Sequence, residues 1–306
     1  MSVDLNALAH QIASELAKGD LARPTPGASP PVRIDGVVTP PRGVSWVSDR
    51  ARLADFIDHT LLRAEATRGE VERHCAEAAE LGFAAVCVSP VWVSRCRSLL
   101  AGTRVRVATV VGYPTGAQRS ETKAVEARLA VDDGADELDV VAALGLVKSG
   151  EWIAVADDLA TVVRAAQGRL VKVVVETAAL APAEIVRAAV VAREEGADYV
   201  KTSSGVHPAG GATPEAVALL RLVCGDALGV KASGGVRDCE AAARLIAAGA
   251  TRIGTSHGVA MGDCMVPGPL PLAALFGGAS ADPGSSRDRE SARPGGPGPS
   301  SSGSPP

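Results

Sequence analysis

The 306-residue sequence predicts an α/β chain folded as a TIM (β/α)8 barrel, with an N-terminal helical and Pro-rich extension and a disordered C-terminal tail. Three observations point there. Between residues 51 and 278, eight short Val-rich runs alternate with segments of helical periodicity, at intervals of about 30 residues, the length of one strand and helix. Gly134-Ala135-Asp136, Gly196-Ala197-Asp198 and Gly249-Ala250-Thr251 each stand just before such a run, as a helix C-cap leads into a strand. Aromatics make up only 3% of the chain while Ala, Val, Leu and Gly abound, which suits helices packed on parallel strands. A doubly wound open sheet is the alternative, but it would place a glycine fingerprint after the first strand, where this sequence has none.

Taken in order, residues 1–50 read as an arm. Leu5, Leu8, Ile12 and Leu16 fit one amphipathic helix, and Pro24, Pro26, Pro30, Pro31, Pro40 and Pro41 then forbid regular structure. The eight strands are expected at 56–59, 84–88, 105–111, 137–141, 171–176, 199–202, 229–231 and 252–254. Thr67 with Glu70 forms a capping box, and Thr213 followed by Pro214 and Glu215 is an N-cap with proline at the first helical position. Residues 279–306, mostly Ser, Gly, Pro and Arg, hold too few apolar side chains to offset the entropy of ordering them.

The net charge of −4, with no basic run carrying interleaved aromatics, argues against a nucleic-acid partner. No apolar run approaches the roughly 18 residues of a membrane span. The six cysteines form no C-x-x-C pair, and no basic stretch with an apolar follow-on opens the chain, so a reduced, cytoplasmic protein is expected.

The polar residues that interrupt the apolar strands, Asp58, Cys87, Asp139, Lys172, Glu176, Lys201 and Lys231, are expected near strand C-terminal ends, where a barrel gathers its chemistry. Lys201 and Lys231 lie on consecutive strands, so their side chains can meet. Two ammonium groups in one pocket oppose each other's ionisation, and an amine freed near neutral pH can condense with a carbonyl to a Schiff base. One lysine would be the nucleophile and the other its electrostatic tuner; spacing leaves them interchangeable. Asp139, in phase with Glu137, could relay a proton or pair with Lys172 or Lys231. Ser203-Ser204-Gly205, Ser233-Gly234-Gly235 and Gly254-Thr255-Ser256 follow the sixth, seventh and eighth strands and would offer backbone N–H groups and hydroxyls to a phosphate, with Arg237 adding charge. His59, His207 and His257 lack the spacing and carboxylate partners of a metal site, so no metal is expected.

These residues together resemble the deoxyribose-phosphate aldolases, a class I, Schiff-base-forming family. The resemblance runs through Ile57-Asp58-His59-Thr60-Leu61-Leu62, Phe83-Ala84-Ala85-Val86-Cys87-Val88, Val110-Val111-Gly112-Tyr113-Pro114-Thr115-Gly116 and Gly134-Ala135-Asp136-Glu137-Leu138-Asp139. It continues through Val200-Lys201-Thr202-Ser203-Ser204-Gly205, Val230-Lys231-Ala232-Ser233-Gly234-Gly235-Val236-Arg237 and Arg252-Ile253-Gly254-Thr255-Ser256. It implies that Lys201 forms the Schiff base, that Lys231 tunes it, and that Asp139 and Lys231 relay protons. It further implies that Asp58, Thr60, Cys87 and Lys172 bind substrate, and that Gly205, Gly234, Gly235, Arg237 and Ser256 bind phosphate. The implied reaction is reversible cleavage of 2-deoxy-D-ribose 5-phosphate to D-glyceraldehyde 3-phosphate and acetaldehyde, in deoxyribose phosphate catabolism. No cofactor is implied, and a homodimer is. Ser89, Ala142-Ala143, His207-Pro208-Ala209 and His257 depart from the family's usual residues.

Overall fold

In a computed structural model of the protein, which describes residues 42–276, the alternation closes on itself. After β1 (Arg50–Arg52) come eight parallel strands: β2 (Ile57–Leu61), β3 (Ala85–Val88), β4 (Arg106–Val111), β5 (Glu137–Val141), β6 (Leu170–Val174), β7 (Tyr199–Lys201), β8 (Gly229–Ser233) and β9 (Arg252–Thr255). They form a closed barrel in sequence order, β9 pairing with β2, and β10 (Met265–Pro267) follows. The helices between and after them are α1 (Arg68–Leu81), α2 (Val93–Leu99), α3 (Ser120–Asp132), α4 (Leu144–Lys148), α5 (Trp152–Ala165), α6 (Pro182–Glu194), α7 (Pro214–Cys224), α8 (Cys239–Ala247), α9 (Gly258–Met261) and α10 (Leu272–Phe276). The expected eight-stranded barrel is therefore present. The arm helix at residues 5–16, the proline run up to Pro41 and the tail at 279–306 lie outside the described residues.

Strand period decides what each side chain meets, because alternate residues face opposite sides of the sheet. Val86, Leu138, Val140, Val171, Val173, Val200, Val230 and Ile253 face outward into the main core under the helices. Each such burial stabilises the fold by about 1.5–3 kcal/mol relative to exposure, as an upper bound. The alternate positions face inward. Ala85, Cys87, Ala108 and Val110 fill one side of the barrel with small apolar groups, while β5 to β9 and β2 contribute the charged residues.

Local chemistry fixes the joints. Thr67 and Glu70 form the expected capping box, Thr67 N donating to Glu70 Oε2 at 2.8 Å. Thr213 Oγ1 caps α7 by accepting from Ala216 N at 3.2 Å, with Pro214 at the first helical position. The three repeated Gly-Ala phrases do more than end helices. Asp136 accepts from Val107 N at 3.0 Å, Asp198 from Val171 N at 2.8 Å and Thr251 from Val230 N at 3.1 Å. Each thus caps the start of the preceding strand.

The end of the barrel at the strand starts is closed by the segment leading to β1. Tyr199 donates its hydroxyl to Gly43 O at 2.7 Å, and Val44 packs with Leu170 and Tyr199. The Arg221 guanidinium lies 4.7 Å from the Trp46 ring centre. β1 then pairs antiparallel with β10, a two-stranded sheet absent from the sequence expectation. One expectation needs correcting here. Cys239 and Cys264, read as free thiols, are joined as a disulfide, because the turn before β10 returns the chain to the start of α8 with 6.2 Å between the Cα atoms. Cys75, Cys87, Cys96 and Cys224 are buried free cysteines. No helix of the described residues is long and apolar enough to cross a membrane.

Candidate active site

Inside the barrel, adjoining strands put ionic groups at matching heights. Asp139 is paired in register with Lys172, Lys201 with Lys231, and Lys231 with Arg252. The charges therefore form a layer at mid-barrel. Asp58, Asp139, Lys172 and Lys231 occupy strand interiors rather than the C-terminal ends expected of them, Lys201 ends β7, and Glu176 lies beyond β6. Tilted strands in a closed barrel bring different positions to one level, which linear counting along each strand misses.

Asp139 is the hub. One of its oxygens accepts from Lys201 at 2.8 Å and from Lys231 at 2.7 Å, and the other accepts from Lys172 at 2.9 Å. Lys231 also meets Asp58 at 2.5 Å, and Lys172 meets Glu137 at 2.5 Å and Asp58 at 3.5 Å. Arg252 completes the layer, with Nε 2.7 Å from Asp58 and Nη2 2.9 Å from Glu137. All seven side chains are buried. Gly254 allows the close packing, since a Cβ there would stand 3.1 Å from Lys231 Cε.

The energetics follow from opposing effects. Burial opposes ionisation of Asp139, but Lys172, Lys201 and Lys231 outweigh it and hold the carboxyl well below its usual range. Burial likewise opposes charge on Asp58, and Arg252, Lys231 and Lys172 reverse the balance. Glu137 is driven down to about 2, Arg252 and Lys172 overcoming burial. Burial disfavours the Lys231 ammonium, yet Asp139 and Asp58 raise its affinity for a proton; Asp139, Glu137 and Asp58 do the same, more strongly, for Lys172. At rest these groups are held as ions, in a layer of four basic side chains, Lys172, Lys201, Lys231 and Arg252, and three acidic ones, Asp58, Glu137 and Asp139.

Above the layer opens a mouth cavity of about 440 Å3. Among the described residues, Lys201 is the lysine that lines it. Thr60, Gly205, Gly234, Gly235 and Ser256 line it as well. Gly234 has φ +87°, and a Cβ there would stand 2.9 Å from Gly211 Cα, so the loop closes only with glycine at that place. Lys231, Asp139, Asp58 and Lys172 lie beneath the cavity without lining it. Cys87 packs with Ala85, Ala108 and Val110, its thiol pushed up by burial and then by Asp139. Arg237 is exposed beside the mouth and does not line it.

Ser204, from the first of the expected phosphate loops, lines the cavity, as do Tyr113 and Arg63, which were not foreseen. Tyr113 lies in a quoted glycine and proline motif, which was the available signal. A second cavity of about 310 Å3 shares Ser204 and Val206 with the first and includes His207 and Glu176; Glu176 accepts from Ser204 N at 3.1 Å. His257 N donates to Thr255 Oγ1 at 2.9 Å, and its ring stands outside both cavities. His59 faces outward and does have a carboxylate partner, Glu77 of α1 at 3.1 Å, contrary to the sequence reading. Its ring stacks on that of His74, with centres 3.7 Å apart and planes inclined by 15°.

Comparison with known proteins agrees with this geometry. The DeoC/LacD family aldolase profile matches residues 53–263. A deoxyribose-phosphate aldolase of a Geobacillus species is 51% identical over 210 residues, covering 68% of this chain and 94% of the relative. One from Brevibacillus brevis is 50% identical over 206 residues, covering 67% and 93%. Among solved structures, the tetrameric deoxyribose phosphate aldolase of Aeropyrum pernix superposes with a TM-score of 0.64 at 36% identity, over 69% of this chain and 89% of that one. With the closed barrel, the lysine at its mouth and this match over two thirds of its length, the chain belongs to the DeoC/LacD family of aldolases.

Proposed function

We propose that the protein is a class I aldolase that reversibly cleaves 2-deoxy-D-ribose 5-phosphate to D-glyceraldehyde 3-phosphate and acetaldehyde through a Schiff base on Lys201. The observation that carries this reading is the position of Lys201, joined to the buried ionic layer through Asp139 and open to the mouth cavity. Lys231 is held by two carboxylates and Lys172 by three, whereas Lys201 has contact with one that it shares. Relatives about 50% identical that bear the name of this activity support the substrate.

The amine of Lys201 adds to the C1 aldehyde of the open-chain sugar, and the carbinolamine loses water to give an iminium, Asp139 and Lys231 moving the protons. Because the two-carbon product retains C1 and C2, the bond that breaks is C2–C3. The C3 hydroxyl gives up its proton, the electron pair of C2–C3 passes to the iminium as an enamine, and glyceraldehyde 3-phosphate leaves. Protonation at C2 and addition of water then release acetaldehyde and the free amine. Gly205, Gly234, Gly235 and Ser256 hold the phosphate, with Arg237 supplying charge from outside. Thr60 meets the sugar, and Asp58, Lys172 and Cys87 act from below by setting the field around the amine.

In this reading the enzyme serves the breakdown of deoxyribose phosphates in the cytoplasm and works as a homodimer. Exposed Val125 and Leu129 on α3 and Ile153 on α5 support self-association. Light scattering reporting twice the chain mass would agree. The decisive test is borohydride reduction with acetaldehyde, which is expected to fix an adduct on Lys201. An adduct elsewhere, or turnover retained in Lys201→Ala, would overturn the proposal. A different small product in the cleavage assay would assign another Schiff-base lyase.

A further inference from the structure

The closed end of the barrel carries a second gathering of charge with no part in the reaction above. A cavity of about 380 Å3 opens there between the strap at Arg42 and Gly43, the end of α2, and the starts of β4 and β6. Five arginines line it: Arg42, Arg97, Arg104, Arg106 and Arg169. The acids in its wall are Asp136 and Glu137, and Glu137 already meets Lys172 and Arg252 in the buried layer.

Each arginine has a carboxylate within reach, but several share one or reach it at long range: Arg106 meets Glu137 at 3.1 Å, and Arg42 also donates to Gly168 O at 2.6 Å. Arg97 stands 3.4 Å from Asp136, Arg169 stands 3.9 Å from it, and Arg42 stands 3.6 Å from Asp198. Arg104 is held outward by Asp55 at 2.5 Å and by Gly82 O at 2.6 Å. Asp136 also accepts from Val107 N. Five guanidiniums thus draw on four carboxylates, Asp55, Asp136, Glu137 and Asp198, of which Glu137 also serves Lys172 and Arg252, so positive charge is in excess at this end. Their planar donor forks suit phosphoryl oxygens, which accept two parallel N–H bonds from each. The cavity has several times the volume of one phosphate group, and its five arginines come from four segments of the chain.

We propose that this closed-end cavity is a binding site for a small anion bearing two or more linked phosphoryl groups, separate from the phosphate loops of the mouth. Binding there forms no covalent bond and consumes no reagent. Arg97 and Arg169, whose contacts to Asp136 are long, are the arms free to turn onto the ligand.

Isothermal titration of the full chain with inorganic pyrophosphate, at fixed ionic strength, tests this. The expected result is saturable binding that weakens about tenfold or more in Arg97→Ala/Arg169→Ala, as loss of two charge-assisted forks demands, while cleavage activity and melting temperature stay near wild type. If the alanine pair does not fold, Arg97→Lys/Arg169→Lys keeps the charge but not the fork, and about threefold weaker binding is expected. Absence of saturable binding to wild type would overturn the proposal. So would binding that neither pair weakens, because the anion would then sit at the mouth.

Discussion

Lys123 and Lys201 are both buried lysines that donate to an aspartate at 2.8 Å, yet they stand on opposite sides of the sheet. Lys123, on α3, meets Asp158 of α5 and donates to Val141 O at 2.9 Å, so one buried amine faces one carboxylate and one carbonyl between the helices and the sheet. Lys201 shares its carboxylate with Lys231 in a layer where four basic side chains draw on three acidic ones. Burial and pairing alone therefore make a structural lysine. A shared carboxylate, crowding with other basic side chains and an open cavity make a candidate reagent.

The comparison can be tested hardest at its chemical end. Lys201→Met is expected to lower turnover by at least ~10³-fold, since the covalent route is lost, with a melting temperature close to wild type. Lys123→Met should do the reverse. Stranding Asp158 among apolar groups costs about 3–5 kcal/mol, visible in urea unfolding, while turnover remains within about twofold in steady-state assays. If Lys123→Met/Asp158→Leu recovers stability, the pair is purely architectural. Asp139→Asn joins both effects, lowering turnover by roughly 10²–10⁴-fold and destabilising the three lysines that it serves, as a kinetic and a denaturation measurement together would show.

A smaller effect separates the charged interior from the histidine stack outside it. Burial, reinforced for His74 by His59, holds both rings down to about 4 from 6.5. Between pH 6.5 and 4 the unfolded chain then binds more protons than the folded one, so stability falls as pH falls through that window. Glu137, lowered from 4.5 to about 2, contributes stability that is present above pH 4.5 and lost toward pH 2. Melting temperatures across pH 4–7 should show a slope roughly halved in His74→Leu, and an unchanged slope would remove the stack from the account. Smallest of all, Thr67→Ala removes the α1 cap and should cost about 1 kcal/mol in denaturant unfolding.

Much of the barrel was legible because strand and helix periods are local properties. The strand at 137–141 coincides with β5, and the capping box at Thr67 and Glu70 needs four residues to be seen. Asp139, Lys172, Lys201 and Lys231 were legible as charges inside apolar runs. Arg252 was not, because a charge at the first residue of a strand reads like the end of a loop. Nothing near Lys123 in the sequence marks it as buried, because its partner Asp158 comes from α5, 35 residues on. The pairing of β1 with β10, and the neighbouring Cys239 and Cys264, join segments with no turn between them, so only the closed barrel reveals their proximity.

That pairing also governs how the protein could be handled. Gly43 and Val44 lie against the strand starts, and α10 returns to the same end, where Leu272 N donates to Asp226 at 2.9 Å. Both borders of the described chain thus leave from the face opposite the mouth. A carrier, label or solid support joined directly at residue 42 or at residue 276 would start behind the barrel, on the side away from the entrance.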